Sequence, residues 1–381
     1  MSSRVPVLIL CVICLTSSAY LTAVDWMLDT GKPEDVRRAV QWMPWNADAW
    51  RLMPQAEPER AAEHWRHVLR LAPGDTEADI ALALDAEMRG QSREAEDLLL
   101  DAAKFNKGYL PAWTLANFYL RQQNEKAFWQ WARRAASFEN DLTALFELCL
   151  RLRPDPPWLV HEFALRRGEA LRELLTASAE QDLLPAAIPV AAMVAQLKTA
   201  RAGEQLLWDA DDLLKKGNAA AAREYWNLAA RQGLLPYPFA APPALVNGEF
   251  DHVSLERGFD WRPGSAETSL TLGHGLHVGL YAKQEDMAVL AAQTLVLQPG
   301  CEYVLRYRYH VDMPQSAHPI RWQVGDQISD VMEPGAWREA VWRFTGPAGL
   351  AELKLVSHRE PGTHRAAGEV EVAWARLMQT R

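Results

Sequence analysis

Cysteine is scarce, with four in 381 residues, and two of these, Cys11 and Cys14, fall inside an apolar N-terminal run. Only Cys149 and Cys301 remain for the rest of the chain, so neither a disulfide framework nor a cysteine zinc site is expected. Lysine and arginine are outnumbered, the formal net charge is -9, and no basic stripe is present that could track a phosphate backbone, which excludes nucleic acid as an expected partner. Catalytic signatures are missing too. There is no G-x-S-x-G, no H-E-x-x-H, no G-x-G-x-x-G and no phosphate-cradling loop ending in Lys-Ser/Thr. His161-Glu162 lacks a second histidine, and His274 and His277 are three apart on an expected strand, which sends their rings to opposite faces. Glu369 and Glu371 share a strand face but lack a cleft to make them a hydrolase pair. The chain is expected not to be an enzyme.

Long low-complexity stretches are also absent, and with 49% hydrophobic and 23% charged residues the chain has the composition of a folded protein of two or three domains. The run from Val5 to Val24 follows Arg4 and precedes Asp25 and Asp29. Twenty helical residues at about 1.5 Å each span the ~30 Å hydrocarbon layer, and positive charge before with acid after favours an inside N-terminus. Residues 1–24 are therefore expected to be a transmembrane signal-anchor, with membrane contact through residues 5–24. The body would then stand on the periplasmic or outer side of a bacterial inner membrane. A cleaved signal peptide ending near Ser17-Ser18-Ala19 is the alternative, giving a secreted form.

From residue 25 to 232 the sequence reads as short helices separated by Gly, Asn or Pro, and alanines recur 34 residues apart at Ala61 and Ala95, Ala78 and Ala112, and Ala102 and Ala136. Ala61, Trp65, Val68 and Pro73 form one set of small, large and breaking residues. Ala95, Leu99 and Ala102 form a second, with Gly90, Leu82 and Ala83 before it, and Gly217, Ala222, Trp226 and Ala229 a third. These residues resemble the tetratricopeptide repeat family, which implies an α-solenoid of helical hairpins that binds protein partners. The concave surface would be lined by Glu77, Ile80, Leu84, Asn117 and Arg121. Trp129 stands where a small residue belongs unless one or two residues are deleted, and between 140 and 200 prolines interrupt the pattern.

Residues 233–244 hold four prolines and read as a stiff linker. Over 245–381 the period changes to two. Tyr303, Leu305, Tyr307 and Tyr309 alternate with polar residues, as do Ile320, Trp322 and Val324, which predicts an antiparallel β-sandwich or jelly roll. The opening Leu245-Val246-Asn247-Gly248-Glu249-Phe250, Trp261, the turn Gln298-Pro299-Gly300 and the closing strand Val370–Leu377 resemble the galactose-binding-like jelly rolls that include many carbohydrate-binding modules. The resemblance implies a polysaccharide partner, an opening segment paired with the last strand, and a structural calcium with Glu249 and Asp251 as candidate ligands. Ala373 and Trp374 stand where acidic residues are common in those modules. No other cofactor is expected.

Sixteen tryptophans are the most unusual feature present, eleven before the linker and five after it. Those at helix-packing spacings read as core. A sugar site needs an exposed ring against the apolar face of a pyranose, and polar side chains for its hydroxyls. Arg306, Arg308, His310, Arg321 and Gln323 make polar faces on two expected strands and Trp337 opens a third, so Arg308, His310, Arg321, Gln323, Trp337 and Trp261 are the candidate glycan residues. A solvated outer sheet face is the plainer reading. Together these features point to a non-catalytic, membrane-anchored scaffold in exopolysaccharide or cell-envelope assembly. The alternative is an accessory subunit of a polysaccharide-active enzyme or secretion complex, with a purely structural sandwich.

Overall fold

The computed structural model describes residues 4–237, 245–264, 268–283, 285–313, 319–359 and 367–380, except the side chains of 4–13 and 268–269. Helices come first and antiparallel strands after them, as the change of period predicts, with fourteen α-helices and ten strands among the described residues. Contacts divide the chain into two compact units, Met1–Asn140 and Asp141–Arg381. The second unit thus holds the later helices together with the strands.

In the first unit, α1 (Arg4–Asp29) is one continuous helix. Val24 and Met27 near its end pack with Val36, Ala39 and Val40 of α2 (Pro33–Trp42) and with Ala49 and Met53 of α3 (Ala47–Ala56). Side chains of residues 5–13, about half of the expected membrane span, lie outside the described residues. Among the described residues, no helix is long and apolar enough to cross a membrane.

Three hairpins follow: α3 with α4 (Ala61–Leu71), α5 (Thr76–Met88) with α6 (Ser92–Phe105), and α7 (Tyr109–Arg121) with α8 (Glu125–Ala136). Asn46, Asp75 and Asn124 cap α3, α5 and α8 by accepting backbone N–H groups of the first turn. Buried Ala78, Leu82, Ala83, Ala95, Leu99 and Ala102 form the interior of the middle hairpin, as the repeat spacing predicts. On α8 the same interior places are taken by Phe128, Ala132 and Ala135, while Trp129 is only half-buried. Phe128, Ala132 and Ala135 lie 33 residues after Ala95, Leu99 and Ala102, so one deleted residue, rather than a lost repeat, accounts for the misplaced tryptophan.

The second unit opens with α9 (Thr143–Leu152), α10 (Pro156–Glu162), α11 (Gly168–Glu180), α12 (Ile188–Ala195), α13 (Ala200–Lys215) and α14 (Ala219–Arg231). Pro156 and Pro189 sit in first turns, where a missing N–H costs nothing. Of the proline-rich segment 233–244, residues 238–244 lie outside the described residues. Its described start does not stand free, because Tyr237 is buried and its ring stacks on Trp226 of α14 at 6.2 Å and 5°.

The strands are β1 (Arg262–Pro263), β2 (Thr268–Thr271), β3 (Leu276–Tyr281), β4 (Met287–Val296), β5 (Glu302–Asp312), β6 (Ile320–Val324), β7 (Gln327–Ile328), β8 (Gly335–Thr345), β9 (Leu350–His358) and β10 (Ala367–Thr380). They form two five-stranded sheets, β1-β4-β9-β6-β7 and β2-β3-β10-β5-β8, every pairing antiparallel. One core of Phe250, Trp261, Trp322, Tyr303, Leu305, Tyr307, Val370 and Val372 lies within this β-region. The expected pairing of the opening segment with the last strand is present, since the Ala375 N–H donates to Gly248 O at 2.7 Å. A Cβ on Gly248 would collide with the Ala375 carbonyl, which explains the Asn-Gly at that place.

Candidate functional site

The sheet β2-β3-β10-β5-β8 turns Tyr303, Leu305, Tyr307, Tyr309 and Val311 of β5 inward. Alternation therefore puts Arg306, Arg308 and His310 on its other face. Register then decides their neighbours. Glu371 on β10 pairs with His277 on β3 at one side and His310 on β5 at the other. Its two carboxylate oxygens lie 3.7 Å from His277 Nδ1 and 3.9 Å from His310 Nδ1. A bulge between Tyr309 and Val311, opposite the left-handed Gly335 (φ 112), shifts β8 against β5. Beside it the Trp337 ring lies 5.5 Å from the His310 ring, tilted by 31°, with the Arg308 guanidinium 5.4 Å from its centroid. Trp337 is 42% exposed and its ring makes no part of the core.

Along the same face Arg376 lies 4.7 Å from the Trp374 ring centroid and grips Glu249 with two hydrogen bonds of 2.6 and 3.0 Å. The hydrogen bond it donates to Glu249 pushes the Arg376 guanidinium above its ordinary value. A second bulge, between Val372 and Trp374, turns Trp374 partly outward while Ala375 returns to the core. The result is an open surface with one exposed indole, a second half-buried one, and donors and acceptors of both charges within one or two strands. Such a surface can stack a sugar ring and satisfy its hydroxyls. Sequence reasoning weighed His277 and Glu371 only with His274 and Glu369 and missed their meeting with His310, because cross-strand neighbours separated by 61 and 94 residues leave no local signal.

Three expected glycan residues are placed elsewhere. Trp261 is fully buried, 5.3 Å from Phe250 and 6.0 Å from Trp322 ring to ring, so it is core rather than a stacking platform. Arg321 and Gln323 lie on β6, which follows β5 in sequence but belongs to the opposite sheet, beside Val356 and Lys354 of β9. A period of two is identical on both sheets, so alternation alone joined two faces that the fold separates. Gln323 lines a groove of about 510 Å3 between α13 and this second sheet, with Asp211, Lys215, Arg262 and Lys354. The candidate calcium ligands are Glu249 and Asp251, and the first is already engaged. Arg376 already neutralises Glu249, and among the described residues no group of three His, Cys, Asp or Glu could hold a metal.

In the first unit, Glu77, Ile80 and Leu84 lie on α5 and Asn117 and Arg121 on α7. Arg121 is held by two 2.7 Å hydrogen bonds to Glu87, and the Asn117 amide donates to Trp113 O of its own helix at 3.0 Å. Ile80, Leu84 and Met88 recur every fourth residue on α5 with Leu84 and Met88 exposed, an apolar stripe whose last member sequence reasoning missed.

No protein-family model matches the chain, and no curated protein matches it. Among solved structures it is similar to a CBM4 module (13% identity, TM-score 0.27, covering 36% of this chain and 99% of that one). It is also similar to YrrB, a TPR protein with an unusual peptide-binding site (15%, 0.25, 52% and 91%). PilF of Pseudomonas aeruginosa is a third such structure (17%, 0.27, 56% and 96%). Similar structures thus include both tetratricopeptide proteins and carbohydrate-binding modules. At these scores the likeness carries nothing further, and the architecture rests on the hairpins and the strand register.

Proposed function

We propose that this chain is a non-catalytic scaffold whose helical hairpins bind protein partners and whose open sheet face binds a glycan. The single observation that carries this reading is Trp337, exposed on an open sheet face between His310 and Arg308. An indole in that setting offers an apolar plane to the C–H face of a pyranose, and Arg308, His310, Glu371 and His277 offer donors and acceptors to its hydroxyls. The apolar stripe of α5 serves in the same way for a protein partner. The run from Val5 to Val24 is read as a membrane anchor that leaves the body on the export side of a bacterial membrane, and the combination fits exopolysaccharide or cell-envelope assembly. A glycan array and polysaccharide pull-down with the full chain test the reading, and absence of binding to every glycan removes its carbohydrate half.

A second reading, an accessory subunit whose sandwich is structural, is favoured by one observation. The loop entering the sandwich is fastened to the last two helices. The Gly258 N–H donates to Asp211 of α13 at 2.7 Å, Phe259 packs edge-on against Trp226, and the Arg257 guanidinium lies 3.5 Å over the Trp208 ring. Co-purification separates the two. A protein partner lost by Leu84→Glu with no glycan retained by the parent favours the subunit, whereas a glycan retained by the parent and lost by Trp337→Ala favours the scaffold.

A further inference from the structure

The corner between α2 and α3 carries two exposed tryptophans, Trp42 at 45% and Trp45 at 64%. Its height along α1 is fixed. α2 runs back along α1, and Trp42 at its end stacks on Tyr20 at 5.7 Å and 5°, with the Tyr20 hydroxyl donating to Trp42 O. Nine residues separate Tyr20 from Asp29, and nine separate Pro33 from Trp42, which is about 13 Å of helix in each direction. The corner Met43-Pro44-Trp45 is therefore level with Tyr20, well before the apolar run ends.

That run is consequently not all available to lipid. Val24 is buried against α2, while Tyr20, Leu21 and Thr22 stay exposed. Before Val24 the run has about 19 residues, or roughly 28 Å of helix. That is close to a hydrocarbon layer of about 30 Å. A run of that length spanning the layer puts the level of Tyr20, about one turn before its end, in the polar boundary of the bilayer, and here that level is occupied by the Trp42–Trp45 corner. Indole rings, with an apolar body and one N–H, are the side chains best suited to that depth.

We infer that Trp42 and Trp45, with Tyr20, form a lipid-interface contact, so that the first helical layer rests on the bilayer surface and is not held off it by a tether. The inference deepens the anchor reading above and rests on it. Because α1 is continuous into the first core, the contact would also fix the orientation of the α1–α3 layer relative to the membrane.

The test uses the full chain in phosphatidylethanolamine–phosphatidylglycerol vesicles, with Cys11, Cys14 and Cys301 changed to Ser and the buried Cys149 kept. An environment-sensitive fluorophore is attached to Leu15→Cys, Pro44→Cys or Met88→Cys, and lipids with spin labels at shallow or deep positions quench it. The inference expects loss of emission at 44 from shallow quenchers, at 15 from deep ones, and none at 88. Quenching at 15 with a label at 44 that behaves like 88 overturns the interface contact and leaves the anchor standing. No quenching at either 15 or 44 overturns both.

Discussion

The His310 ring lies 5.5 Å from the Trp337 ring across two adjacent strands, at a bulge that aligns them on the open face of the sandwich. Neither ring is needed to fill the core. Trp337→Ala is therefore expected to change stability by no more than about 0.5 kcal/mol, as for other exposed positions. Trp261→Ala, emptying a fully buried site between Phe250 and Trp322, is expected to cost about 3–5 kcal/mol. Urea denaturation of the two variants checks the contrast, and equal losses would contradict the division of these tryptophans into surface and core.

Asp209 on α13 is buried, and its Oδ2 meets no hydrogen-bond partner among the described residues. Burial, with Asp212 adding to it, raises its carboxyl from 3.8 to about 8. The folded chain thus keeps this proton up to about pH 8, while the unfolded chain releases it near 3.8. More protons are bound in the folded state across that window, so this residue makes stability fall as pH rises from about 4 to about 8. Asp209→Asn removes the effect. The stability of the variant relative to the parent should grow across that window in thermal melts, and a pH-independent difference would count against the buried acid.

Gly258 has φ +56, and a Cβ there would lie 2.7 Å from the Trp226 ring. Gly258→Ala is expected to destabilise by about 1 kcal/mol or more, from left-handed strain together with the collision. Asp260 adds a second fastening, accepting from the Tyr237 hydroxyl at 2.6 Å and the Leu255 N–H at 2.5 Å. A fragment starting at residue 245 bares Phe259 and removes Tyr237, whereas one starting at 141 keeps both. The longer fragment should melt once and at a higher temperature than the sandwich alone, as scanning calorimetry would show.

Local pattern carried the helices and the strands, because each depends on periodicity, while the pairing of the opening segment with the last strand followed from the resemblance to carbohydrate-binding modules and is met at Gly248. The deleted residue before Phe128 was visible as a misplaced Trp129. What the sequence left hidden was which sheet each strand joins. Arg321 and Gln323 alternate as Arg308 and His310 do, yet β6 crosses to the other sheet. Trp261 and Trp337 are likewise the same residue type in similar polar surroundings, and only tertiary packing makes one core and the other surface. The cluster of His277, Glu371 and His310 arises from register over long separations, and the fastening of Gly258 to Asp211 lies 47 residues apart.

The most direct measurement is binding of the full chain and of Trp337→Ala to a panel of immobilised polysaccharides, with stability monitored in parallel. The account predicts that at least one glycan is retained by the parent and lost by the folded variant, with Arg308→Ala weakening it in between. Equal retention by parent and variant, or retention by neither, would contradict a glycan site at the open face.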